Sequence, residues 1–238
     1  MAKILVLDIE TAPAIAYVWR AWEENTSPEK LIEPGRVIMV GVQWLEDDLP
    51  SKATVFTEWE YGHADMIRIV HDLISQADAV VHFNGDKFDL PILTGEFALL
   101  GLAPPPPLTS IDVLKTVKKF GLFMNRLAYV GPLFNVGEKI KHEGFDLWRS
   151  VLAGDPKARK RMEKYCAGDV TLTTKLYLRI RPYIKNHPHL GEHKAECGAC
   201  GSNHVQFRGY RRTKTFKIRR IQCQGCGSWS DGTRTKVV

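Results

Sequence analysis

The chain reads as an α/β protein, a mixed β-sheet with helices packed on its faces, followed by a small β module built around cysteines. Three observations predict this. Strand-forming runs are gathered at the start, and helical patterns are interleaved with short strands afterwards. Two Cys-x-x-Cys-Gly knuckles stand near the end, Cys197–Gly201 and Cys223–Gly227. Charge is also unevenly placed. Residues 1–192 hold 23 Lys/Arg against 25 Asp/Glu, a balance of −2, and residues 193–238 hold 10 against 2, a balance of +8; together they make the net +6. A basic excess confined to the last fifth of the chain is the asymmetry of a nucleic-acid-binding module.

The hydrophobic content of 44% and charged content of 25% are ordinary for a globular protein. No apolar run approaches the roughly 18 residues that span a bilayer, so no membrane partner is expected. Met-Ala-Lys leading into an acid-bearing strand does not read as a signal peptide. The expected setting is a reducing cytoplasm, that of a host cell if the protein is virus-encoded.

The first strand is Lys3–Thr11. Its apolar run ends in Asp8 and Glu10, spaced i, i+2, so on extended backbone both carboxylates project from one face. Two acids side by side on a buried strand repel each other and lose hydration unless a cation neutralises them. Oxygen-only ligands suit Mg²⁺ or Mn²⁺ better than zinc. By itself the pair also describes a solvated strand end.

Ala12–Pro34, with Trp19 and Trp22, is expected to be a loop with some helix. Arg36–Trp44 reads as a second strand, Glu46–Pro50 as a turn and Ala53–Thr57 as a third strand, together an antiparallel meander. His63–Gln76 has apolar residues at helical spacing; Ala79–Phe83 is a short strand running into an Asn84-Gly85-Asp86 turn. Phe88–Leu100 resumes the helical period, and Pro104–Pro107 forces an extended connection. Ser110–Phe120 is a helix or a strand passing into one. Leu127–Leu133 and Phe145–Leu152 are weaker helical candidates, and Ala158–Ile184 is the longest helical pattern, closed by Pro182 and Pro188. Residues 186–194 look like a linker between a 1–185 domain and a 195–238 module.

Two further acids stand where elements meet. Asp89 follows the strand-turn at the start of a helix, where a first-turn acid is also favoured by the helix dipole. Asp169 lies inside the long helix, four residues after Tyr165 and therefore on the same face. Asp112 reads as structural, Asp86 as solvated, His82 as a satisfied core histidine and Cys166 as packing.

An Asp-x-Glu strand (Asp8, Glu10), an Asn-Gly-x-x-Phe-Asp turn (Asn84 to Asp89) and a Tyr-x-x-Gly-Asp helix (Tyr165 to Asp169) together resemble the three motifs of the DEDD 3′–5′ exonucleases, in its tyrosine-bearing DEDDy branch. The resemblance covers about residues 3–185. It implies a ribonuclease-H-like fold with a mixed five-stranded sheet whose first strand is central. It also implies that Asp8, Glu10, Asp89 and Asp169 hold two Mg²⁺ or Mn²⁺ ions, Asp8 bridging them, and that Tyr165 orients the attacking water. Two ions about 3.5–4 Å apart can activate a water and stabilise the leaving oxygen. A phenol with a pKa near 10 is a poor base at neutral pH, so the tyrosine's task is aim rather than proton abstraction. Asn84 holds the turn or approaches the terminal nucleotide. Phe88 reads as core, with substrate contact as its other role.

The knuckles offer Cys197, Cys200, Cys223 and Cys226, with 22 residues between the inner pair. Four thiolates so spaced form a closed structural zinc site, whereas two disulfides are disfavoured in a reducing compartment. Between them runs a hairpin-like stretch carrying Arg208, Tyr210, Arg211, Arg212, Lys214, Phe216, Lys217, Arg219 and Arg220. Cations for phosphates and aromatics for base stacking suit a single-strand grip. The same stretch could be a solvated ribbon or a protein-docking one.

The expected function is a metal-dependent 3′–5′ exonuclease acting on single-stranded DNA ends in replication, proofreading or repair. Proofreading would require a separate polymerase or replication protein. The alternatives are a 3′–5′ exoribonuclease, a non-catalytic zinc-ribbon protein that binds nucleic acid, and an endonuclease of the ribonuclease-H-like group.

Overall fold

The first strand, β1 (Ile4–Ala12), alternates between two cores. The computed structural model describes residues 2–20, 22, 25–46, 49–185 and 187–237. After β1 come a small hairpin, β2 (Ile15–Ala16) and β3 (Leu31–Glu33), then β4 (Arg36–Glu46), β5 (Leu49–Pro50) and β6 (Thr54–Thr57). Next are α1 (Glu58–Tyr61), α2 (His63–Ser75), β7 (Ala79–His82), α3 (Asp89–Leu99), β8 (Thr109–Asp112) and α4 (Val113–Val117). The first and larger part of the chain closes with α5 (Leu127–Leu133), α6 (Phe145–Leu152) and α7 (Pro156–Ile180). The C-terminal strands are β9 (Val205–Arg212), β10 (Phe216–Cys223) and β11 (Trp229–Lys236).

The main sheet runs β5-β4-β1-β7-β8, and β6 pairs with β4 further along than the two-residue β5. Five positions lie across it, with β1 third. Pairs β1–β4 and β4–β6 are antiparallel, as the expected meander requires, whereas β1–β7 and β7–β8 are parallel. The sheet is therefore mixed, with helices on both faces.

Alternation along β1 decides what each face receives. Leu5, Leu7 and Ile9 pack with Met66, Ile67, Val70 and Ile74 of α2 and Leu93 and Phe97 of α3. Ile4 and Val6 pack with Val170, Leu172, Leu176 and Tyr177 of α7. Asp8 and Glu10 continue the second series, so they face α7. That helix starts where Asp155 caps the backbone N–H groups of Lys157 and Ala158 at 3.0 and 3.2 Å, with Pro156 in its first turn. It stops at Ile180, short of the expected Ile184, because Pro182 cannot continue a helix.

The structure refines the sequence reading at several points. Ala12–Pro34 contains β2, β3 and one 3₁₀ turn at Pro28–Lys30, with no α-helix among its described residues. The hairpin-like stretch between the knuckles is the antiparallel pair β9–β10, and β11 joins it to make a three-stranded sheet, order β11-β10-β9. In the expected Glu46–Pro50 turn, Asp47 and Asp48 lie outside the described residues. Within the stretch read as a linker, two residues make contacts with their surroundings. His187 Nε2 lies 2.8 Å from the Tyr177 hydroxyl, and Leu190 is buried in the α7 core while its N–H donates to the Gly198 carbonyl at 2.7 Å.

Candidate metal centre and nucleic-acid interface

Parallel pairing of β1 with β7 ends at Val6–Val81, where the two strands part. Beyond that point the Ile9 N–H donates to Asp89 Oδ1 at 3.0 Å instead of to a strand neighbour. Asp89, the first residue of α3, is thereby fixed against β1 between Asp8 and Glu10. From the opposite side α7 brings Asp169. Carboxylate oxygens of Asp8, Glu10 and Asp169 all lie within 4.8 Å of one another. Asp89 stands beside this trio rather than in it, close enough for its charge to bear on Asp8 and Glu10.

Two glycines permit this approach. Gly41 lies opposite Asp8 in the β1–β4 register, and a Cβ there would sit 2.7 Å from Cys166 Sγ and 2.9 Å from Val170 Cγ2. On α7, a Cβ at Gly168 would meet Ile140 Cδ1 at 2.8 Å, so glycine lets the 137–144 loop lie against the helix. Gly41→Val should push α7 off the sheet and cost about 1–3 kcal/mol. Urea denaturation checks the stability loss, and calorimetric Mn²⁺ titration checks the accompanying loss of affinity.

Crowded buried carboxylates resist ionisation. Burial, then Asp89, Glu10 and Asp169, push Asp8 well above the carboxylate range. Burial and Asp169 push Glu10 up to about 8, and burial pushes Asp89 to about 6 against the Ile9 hydrogen bond. Asp169 is 3% exposed; its Oδ2 lies 2.8 Å from Lys139 Nζ, while its Oδ1 is buried without a hydrogen-bond partner. An orphaned buried oxygen facing two more carboxylates is the donor set of a hard divalent cation.

Tyr165 stands one turn before Asp169. Its hydroxyl neighbours both the Asp169 carboxylate and the Lys139 ammonium, and burial raises its pKa. Its ring makes edge contacts with His142 at 4.6 Å and Trp148 at 6.4 Å, and Lys139 Nζ lies 4.9 Å from the ring centroid. Trp148 is held in turn by its Nε1–H, which donates to the Thr11 carbonyl at 3.1 Å. Lys139, His142 and Trp148 were absent from the sequence reading. Lys139 and His142 lie on the loop bracketed by Gly137 and Gly144, and Trp148 on α6, which separates that loop from α7.

The β7–α3 turn is braced from below. Asn84, at φ 73°, takes the left-handed conformation that asparagine tolerates, and its N–H donates to Asp112 Oδ1 at 2.9 Å. Asp112 also caps α4 through Leu114 N–H, a structural role. His82 is fully buried. Its Nδ1 accepts from Gly85 N–H at 2.9 Å, so Nε2 carries the proton toward Ser110 Oγ at 2.7 Å. Ser110 donates onward to Asp86, so this serine–histidine pair is no activated nucleophile. Asp86 is not merely solvated, since it also pairs with Lys115. Phe88 is 44% exposed rather than core.

In the C-terminal sheet the four cysteine sulfurs converge, with Cys197–Cys226 and Cys200–Cys223 both at 3.7 Å. Zn–S bonds of about 2.3 Å place tetrahedral sulfurs about 3.8 Å apart, whereas a disulfide needs about 2.05 Å. The cysteines also make up most of this module's apolar core, joined by Ala199 and Val205. A core that small gains most from a bound metal, and these four sulfurs are the donor set that could hold one.

The basic residues of the module divide into groups. Lys217 Nζ sits 4.1 Å from the Tyr210 ring centroid and the Arg219 guanidinium 4.7 Å from that of Phe207, while the two rings lie 5.1 Å apart. This is a cation-and-aromatic face. Arg220 lies instead over Trp229, and Arg211 is locked to Asp231 by Nε–Oδ1 at 2.8 Å and a second, shorter contact. Arg208, Arg212, Lys214 and Phe216 are exposed.

Among the described residues no helix is long and apolar enough to cross a membrane. No curated protein matches the chain. Among solved structures it is similar to the family B DNA polymerase from the hyperthermophilic archaeon Pyrobaculum calidifontis, at 20% identity and a TM-score of 0.55 over 76% of this chain. The match spans 25% of that polymerase, so the likeness is one of fold. A family model described as RNase_H superfamily matches residues 29–181, which include Asp89, Tyr165 and Asp169 and begin after Asp8 and Glu10. With more than half of its length matched and the carboxylates of β1 and α7 brought together on a mixed sheet, the chain belongs to the RNase H superfamily.

Proposed function

We propose that the protein is a divalent-metal-dependent 3′–5′ exonuclease of the DEDDy type acting on single-stranded DNA ends. The observation that carries this reading is the meeting of Asp8, Glu10 and Asp169 with a partnerless buried oxygen on Asp169. These three residues, with Asp89 beside them, would hold two Mg²⁺ or Mn²⁺ ions. Such ions supply charge for the phosphodiester undergoing attack and for the departing 3′ oxygen.

The chain's own groups do the positioning. Asp89 is held in one orientation by the Ile9 N–H, which keeps its carboxylate beside Asp8 and Glu10. Tyr165 keeps its proton at neutral pH, because burial raises its pKa; its hydroxyl therefore orients the attacking water by hydrogen bonding and does not abstract the proton. Exposed Phe88, next to Asp89, offers a ring on which a terminal base can stack, and Asn84 shapes the turn beside it. The zinc-held face of Phe207, Tyr210, Lys217 and Arg219 grips strand upstream of the cut. That the similar solved structure is a DNA polymerase favours DNA and a replication or proofreading setting.

With Mn²⁺, a 5′-labelled single strand should shorten progressively, and a blocked 3′ end should prevent this. A matched RNA strand run in parallel decides the sugar preference. Products of internal length from the blocked strand would overturn the exonuclease reading. For the ribbon, Lys217→Ala/Arg219→Ala should flatten the plot of log affinity against log salt by about 1.4, since each single-strand phosphate contact contributes about 0.7. An unchanged slope would point to protein docking.

A further inference from the structure

Four carboxylates crowd this site, and a lysine stands among them. Lys139 Nζ is 2.8 Å from Asp169 Oδ2 and 4.9 Å from the Tyr165 ring centroid, with its side chain 30% exposed and that of Asp169 4% exposed. Its charge offsets those of Asp8, Glu10 and Asp169 alike. Although burial opposes its charge, Asp169 and then Tyr165 hold the ammonium above its ordinary pKa, so it remains a cation.

Any displacement of Lys139 would fall on the loop that carries it. It has no helix or strand between Leu133 and Phe145, and it is bracketed by Gly137 at φ 132° and Gly144 at φ 66°. Both angles lie where only glycine rests without strain. A Cβ at Gly144 would meet no atom within 4 Å, so that end of the loop has open space, whereas the Gly137 carbonyl lies close against Gly131 of α5. Lys139 itself is held by charge and by its ring contact. Ile140 lies against Gly168, one residue from Asp169.

We propose that Lys139 is an internal counter-cation that holds the carboxylate site closed without a divalent ion, and that ion binding turns it out on the 137–144 loop. The inference rests on the reading of Asp8, Glu10 and Asp169 as metal ligands. A divalent ion at Asp169 Oδ1 would lie within a few ångströms of the ammonium at Oδ2, and like charges at that range in a buried site repel strongly. The ion carries two charges and satisfies several carboxylates together, whereas the ammonium carries one and satisfies Asp169 directly. The ion therefore wins when present, at a cost in affinity equal to the work of displacing the lysine. The metal-free protein in turn tolerates its buried acids, and ion entry becomes a switch between two arrangements of one loop.

Three measurements on the full, zinc-loaded chain test this. In Mn²⁺ titration by calorimetry, Lys139→Met should bind about tenfold more tightly than the parent, since the ion no longer competes with a partly buried pair, and Lys139→Arg should restore parent affinity. Lys139→Met should also lower the melting temperature of the metal-free protein, and Lys139→Arg should not. Acetylation of the Lys139 amine in the unaltered protein, read by mass spectrometry, should be slow without Mn²⁺ and rise severalfold on its addition. Unchanged or weaker Mn²⁺ affinity in Lys139→Met would overturn the counter-cation role, as would labelling that ignores Mn²⁺. If neither parent nor variant binds Mn²⁺, the metal-ligand reading falls, and this inference with it.

Discussion

Asp8→Asn and Asp169→Asn should each slow degradation of a 5′-labelled single strand by about 10³-fold or more, the scale seen when one member of a catalytic set acting as a unit is removed. Their effects on stability should differ. Asp8 is pushed upward by burial and by three neighbouring carboxylates, so replacing it with an uncharged amide of the same shape relieves repulsion. The metal-free Asp8→Asn protein should melt higher than the parent and gain little from Mn²⁺. Asp169→Asn also removes the anion that pairs with Lys139 at 2.8 Å, so its gain should be smaller or absent. Parallel melting curves and gel-resolved digests check both. Two inactive variants with unequal stability distinguish a charged metal site from a merely structural acid cluster.

The pH dependence of stability should carry the second large effect, with opposite signs in the two metal states. Burial and Asp169 raise Glu10 from 4.5 to about 8 in the folded protein. The folded state therefore binds this proton more tightly than the unfolded chain does. The resulting stability is fully present below about pH 4.5 and is lost as pH rises toward 8. Each pH unit inside that window is worth about 1.4 kcal/mol, so between pH 6 and pH 8 Glu10 alone contributes about 2 kcal/mol. Asp8 shifts in the same direction and adds to it. Without divalent ions the protein should melt lower at pH 8 than at pH 6. With saturating Mn²⁺ the order should invert, because the ion requires the deprotonated carboxylates. A metal-free melting temperature flat across that range would mean that the cluster is hydrated rather than buried.

Much of this site was legible because local periodicity and tertiary placement agree. In β1 the period of two puts Ile4, Val6, Asp8 and Glu10 on one face, and the structure packs that face against α7. On α7 the i, i+4 spacing of Tyr165 and Asp169 holds because helix geometry leaves no freedom there. Asp89 was placed correctly at the start of α3. Its bond to the Ile9 N–H was not foreseeable, since it depends on β1 and β7 parting after Val6.

What escaped the sequence depends on partners distant in the chain. Lys139 is one lysine among many until α7 and β1 surround it. The β11 segment, Trp-Ser-Asp-Gly-Thr-Arg-Thr-Lys, has a polar composition and becomes a strand through pairing with β10 and the cysteine cluster at its base. Phe88 precedes the apolar helix residues Leu90, Ile92 and Leu93 in sequence, yet it follows the turn set by Asn84 at positive φ and lies at the surface. Asp86 reads as a turn acid because Ser110 and Lys115, which bond it, arrive from β8 and α4.

The central claim is that a carboxylate-held divalent ion cuts nucleic acid from a free 3′ end. The most direct measurement incubates the purified protein with equal amounts of one single-stranded DNA sequence, as a linear strand and as a covalently closed circle. Both are run with Mn²⁺ and with excess chelator. The expected result is mononucleotide release from the linear strand alone, in Mn²⁺ alone. Cleavage of the circle would contradict exonuclease action, and degradation that persists in chelator or never occurs in Mn²⁺ would contradict the metal centre formed by Asp8, Glu10, Asp89 and Asp169.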